Sequence, residues 1–187
     1  MEWTYSAYPN PETSAVWSDD FWPPKDWYQL TESALEKVER IWPWDNLPVA
    51  KKLVTKMTEE QLMLFAVYHV TCSIFGGGFD TGLDSLSGEL AEEAIFGLRK
   101  FGFTRHAEIM DQAWDAYGIR PIPRKCEERR NHFIRMEFVE LPPGWSEMQN
   151  EFYDLLLHKK FGKGVHPGFH RPLAEFINMH RNRFFIT

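Results

Sequence analysis

Cysteine is nearly absent from this chain of 187 residues: Cys72 and Cys126 are the whole complement. Two thiols cannot make a disulfide framework, and neither has a second cysteine at metal-ligand spacing. A reducing cytoplasm is therefore the expected compartment. Long apolar runs are lacking as well, since none approaches the roughly 18 residues that span a bilayer. The opening MEWTYSAYPNPETSAVW has no basic stretch leading into an apolar one, so neither a cleavable signal nor a membrane anchor is expected. Phosphate-loop grammar is missing too. Gly76, Gly77 and Gly78 stand in a row, but GxGxxG is absent and no Lys-Ser or Lys-Thr follows them.

Aromatics and charge are abundant. Fifteen Phe, eight Trp and six Tyr accompany an apolar content of 43%, enough for one well-buried core at this length. The net charge of −6 is unevenly spread. Up to Gly118 there are 19 Asp and Glu against 9 Lys and Arg, and from Ile119 onward 8 against 12. An acidic front repels nucleic acid and favours basic partners, so direct DNA or RNA binding is not expected. Ordinary solvated helix faces would give the same counts.

Residues 1–30 hold Trp3, Trp17, Trp22 and Trp27 among Pro9, Pro11, Pro23 and Pro24. The prolines forbid a regular helix while the indoles gain from burial, which predicts an irregular arm lying across the domain. Residues 31–187 read as one all-α domain of packed helical hairpins. Leu35, Val38 and Trp42 give a first helix that Pro43 stops, and a shorter one is expected from Asn46 to Lys56. Thr58-Glu59-Glu60-Gln61 fits a capping box that starts a central helix of about 17 residues, closed by the three glycines. Phe75 and Phe79 flank those glycines, which predicts a packed corner.

Ser87 is expected to cap a helix from about Glu89 to Lys100, with Leu90, Ala94, Ile95 and Leu98 inward and Gly102 past its end. Thr104 is expected to cap the next, ending near Gly118. IRPIP, 119–123, is an extended connector. Residues 126–140 read as helix, though FIRMEFV also alternates like a strand. Ser146 to Gln149 forms a second capping box, 159–170 a basic loop, and a last helix starts near Arg171.

No catalytic constellation emerges. His166 and His170 are four apart, yet Pro167 and Gly168 intervene, so a helical zinc pair is not expected. Cys72 reads as inert core. Cys126 stands among Arg124, Lys125, Arg129 and Arg130, with His132 the one imaginable base. The chain is expected to be no enzyme, to need no cofactor and to hold no metal.

The stretch EEQLMLFAVYHVTCSIFGGGFDTGLDSLSGELAEEAIFGLRKFGFTRHAEIMDQAW resembles the bacterial DNA-mimic protein family, helical proteins that share a carboxy-terminal domain. The family pattern of a helix, Asn-Gly-Gly-Phe, a Gln, Asn-Ser and Gly-acid is met by Gly77, Gly78, Phe79, Ser87, Gly88 and Glu89. Glu93, Ala94, Leu98, Gly102, Ala107 and Ile109 stay in register. Glu151-Phe152-Tyr153 and the closing LAEFINMHRNRFF also resemble family segments. Gly76 stands in place of the family's Asn, Thr81 of its Gln and Ser85 of its second Asn.

The resemblance implies an all-helical fold and a protein that binds another protein. The structural motif is Gly76, Gly77, Gly78, Phe79, Ser87 and Gly88. The candidate partner surface is Asp80, Asp84, Glu89, Glu92 and Glu93, facing a basic partner such as a DNA-binding regulator. An antitoxin or immunity protein is the alternative, an enzyme with an unrecognised site a weaker one. A homodimer stays open.

Overall fold

A computed structural model describes residues 46–54, 58–118, 120–136 and 143–156, with 173, 176, 177, 179, 180 and 183. The arm 1–30, the helix expected before Pro43 and the loop 159–170 with His166 and His170 lie outside these residues. Six α-helices and one 3₁₀ turn make up the rest, and no strand occurs among the described residues. This is the all-α class read from sequence.

The first helix, α1, is Leu47–Val54, with Pro48 in its first turn where a missing N–H costs nothing. The central helix, α2, is Glu59–Asp84. Its capping box closes in both directions: Gln61 N donates to Thr58 Oγ1 at 3.2 Å and Thr58 N to Gln61 Oε1 at 2.9 Å. Met63, Leu64, Phe65, Ala66, Val67, Val70 and Ile74 are all 0–1% exposed, so α2 is buried on several sides. Its most apolar 18-residue window has a mean hydropathy of 1.5, long and apolar enough to cross a bilayer by composition. Here 56% of that window is buried inside the protein, as in a core helix.

The first helical run of α2 does close at the glycines, as the sequence predicts, and a second short run follows them. Gly77 and Gly78 leave helical geometry, Gly78 with φ +94, and the helix then resumes through Asp84. A side chain at Gly78 would sit in the left-handed region that glycine tolerates. Resumption is driven by Phe79, which is fully buried and packs edge-on against Trp114, Trp145 and Phe152. The corner is packed, and the run that Thr58 starts stops at it; the short helical run from Phe79 to Asp84 is what the sequence did not announce.

Ser85 ends α2 and opens a 3₁₀ turn, Leu86–Leu90, which runs into α3, Ala91–Lys100. Ser87 therefore does not cap α3; it lies buried inside the turn. Leu90, Ala94, Ile95 and Leu98 point inward as expected. The next helix, α4, is Thr104–Ala116, and Thr104 is its first residue rather than its cap, with no side-chain cap bond. Gly102 and Gly118 follow α3 and α4 with φ of +87 and +63, the left-handed closure expected of both. Helix α5, Cys126–Met136, decides for helix over strand as far as Met136, and residues 137–140 lie outside those described. Trp145–Leu156 is α6, beginning one residue before the expected Ser146.

Helix α2 packs against α3, the 3₁₀ turn, α5 and α6, while α4 bridges α3 and α6. Leu173, Phe176 and Ile177 are helical and buried, with Phe176 against Phe101. Cys72 departs from expectation: it is exposed, on the solvent side of α2 beside buried Thr71.

Candidate functional site

The glycine corner and the acids beside it meet at the 3₁₀ turn. On the corner side, polar needs are met by groups far away in sequence. Phe79 N reaches Gln149 Oε1 on α6 at 3.4 Å, and Tyr153 Oη donates to Ile74 O at 2.8 Å. Thr81 Oγ1 donates to Gly77 O at 2.9 Å across the kink. Ser73, Ser87 and Ser85 form a hydroxyl chain with steps of 2.8 and 2.7 Å, and Ser85 Oγ reaches Gly82 O at 3.3 Å. Hydroxyls and Gln149 thus serve a corner where Gly76, Thr81 and Ser85 carry no amide. Gln149 was missed in the sequence because nothing local ties it to residue 79.

The corner also joins the two stretches that carry the family resemblance. Phe152 is fully buried against Phe79, and Phe75 lies 5.6 Å from the Tyr153 ring. Glu151 pairs with Arg105 through two hydrogen bonds, at 2.6 and 2.8 Å, which holds its carboxyl below the usual range. Burial and the charge of nearby Asp80 push the hydroxyls of Tyr117 and Tyr153 up.

The five predicted acids share this neighbourhood, yet most are already engaged. Glu89 is buried at 3% exposure, with its carbonyl accepting from Arg124 Nη1. Glu93 receives Arg124 in a two-bond fork at 2.7 and 2.6 Å. Glu92 takes Arg120 Nη1 at 2.9 and 3.0 Å, and Asp84 takes Arg130 Nε at 2.8 Å. Asp80 is exposed and has no ion-pair partner among the described residues. The proposed surface is therefore three acids paired with arginines, one buried acid and one exposed one.

Arg120 is the hub. Its guanidinium bonds Glu92, Asp111 and Asp115, the last at 2.9 Å, and Asp111 also takes Arg99. All four arginines of this seam except Arg99 come from residues 120–130, the basic stretch read from the charge count. The acidic and basic parts of the chain are laced together here, not held apart.

Beneath the seam lies Arg129, 0% exposed. Its Nε donates to Leu83 O at 2.6 Å, and its two Nη groups to Pro123 O, Arg124 O and Ser85 O, each at 2.7 Å. Gly88 makes room for it, since a Cβ there would lie 2.3 Å from Leu83 O and 2.8 Å from Arg129 Nε. One buried guanidinium thereby ties the end of α2 and the connector before α5 together. In the sequence Arg129 stood out only as one of the basic residues around Cys126, with nothing to mark it as buried.

The thiol and imidazole singled out beside that run are engaged elsewhere. Buried Cys126 donates to Asp84 O at 3.1 Å, and His132 Nε2 lies 2.6 Å from Tyr117 O. Among the described residues, no group of three or more His, Cys, Asp or Glu could hold a metal ion.

No curated protein and no solved structure matches the chain. Residues 55–167, more than half its length, match the family model described as DMP19-like protein, DMP19 being DNA mimic protein 19. That span takes in the kink, the 3₁₀ turn, the arginine seam and α6 with Phe152 and Tyr153. The chain belongs to the DMP19-like protein family.

Proposed function

We propose that this protein works without catalysis, in the cytoplasm, as a binding module for a basic protein partner of the DNA-binding kind. Family membership is the observation that carries the reading. The net charge of −6 supports it, because a carboxylate-rich surface attracts the lysines and arginines that otherwise contact DNA phosphates.

The geometry redistributes the carboxylates that such a partner would meet. Glu89 is buried, and Asp84, Glu92 and Glu93 already hold arginines of the same chain. Asp80 remains outward, and Asp115, though two-thirds exposed, also pairs with Arg120. Residues 1–45 carry nine Asp and Glu against three Lys and Arg, so a large part of the surplus lies there in the sequence. Partner attraction then draws on that segment together with Asp80.

Affinity capture from the native host, followed by competition with duplex DNA, tests this. The expected partner binds nucleic acid, is retained at low salt and released at higher salt, and is displaced by its own duplex site. A partner with no nucleic-acid affinity, a toxin for example, or one indifferent to duplex, would overturn the proposal.

A further inference from the structure

We draw no further inference here: the strongest candidate, the side-chain cluster at the α2 kink where exposed Asp80 and the Gln149 amide oxygen converge over Gly78, belongs to the site already described, and nothing in the structure shows what ligand it would hold.

Discussion

The glycine corner and the arginine seam adjoin the same 3₁₀ turn, Leu86–Leu90, yet different forces hold them. At the corner, Phe79, Phe152, Trp114 and Trp145 are 0–5% exposed, and the hydrogen bonds are neutral ones from Tyr153, Thr81 and the serines. Along the seam the side chains are charged and half in water, with exposures of 22–67% from Glu93 to Asp115. Burial of that aromatic surface supplies stability that salt does not touch. The seam supplies little, because exposed ion pairs are worth at most about 1 kcal/mol each. A protein built this way keeps its fold when salt weakens the seam. Arg129 sits on the boundary, charged like the seam and buried like the corner.

That boundary residue gives the largest expected effect. Arg129→Met leaves the carbonyls of Leu83, Ser85, Pro123 and Arg124 without their donor in a dry site. A loss of about 4 kcal/mol is expected in urea unfolding. A loss under about 1 kcal/mol would mean that water reaches those carbonyls, and the contrast between corner and seam would fail.

Gly88 and Gly76 sharpen the same contrast with opposite signs. Gly88→Ala pushes a methyl into Leu83 O and Gly82 O, 2.3 and 3.0 Å away, and backbone cannot step aside. About 3 kcal/mol of destabilisation is expected. Gly76 is helical with nothing within 4 Å of a Cβ, so Gly76→Ala should gain about 0.5 kcal/mol, read as a higher melting temperature.

Why some of this was legible in sequence and some not follows from how far apart the partners stand. The Thr58–Gln61 box joins groups three residues apart, so local pattern suffices, and glycine after a helix acts locally too. The inward faces of α3 and α4 follow from helical spacing alone. The resumption of α2 past Gly78 was hidden, because its cause is Phe79 meeting aromatics of α4 and α6. Arg124 and Glu93 are 31 residues apart and Arg130 and Asp84 are 46, so a charge count could reveal both signs without revealing that they cancel. A run of acids was read as a surface for a partner when most of it already had one. Cys72 follows the same rule: apolar neighbours in sequence said nothing of which side of α2 faced water.

Proton uptake probes the corner without altering its packing. His106 is buried, edge-on to Phe103 and Phe152, and burial lowers its pKa to about 4. The unfolded chain, with a pKa near 6.5, binds the proton more readily, so acid favours unfolding. The contribution is complete above pH 6.5 and is lost as pH falls toward 4. Between pH 7 and 5 about 2 kcal/mol should disappear through this group. His106→Leu should flatten that part of the stability profile, and an unchanged slope would place the titration elsewhere, with His69, lowered likewise to about 4 by burial, the next candidate.

The smallest expected effect lies on the seam, and its smallness is what gives it meaning. Arg120→Met removes three ion pairs, yet Arg120 and its partners are 29–67% exposed, and the carboxylates left behind are solvated by water. A loss of about 1 kcal/mol or less is expected in low salt, shrinking toward zero in about 1 M salt as the remaining charges are screened. Gly88→Ala should keep its full cost under the same salt, because its obstacle is steric. If Arg120→Met instead cost as much as Arg129→Met, and kept that cost in salt, the seam would be a structural joint. A cost that survives salt would then have to come from the packed stem of Arg120 and its hydrogen bond to the Asp111 carbonyl, not from its charge.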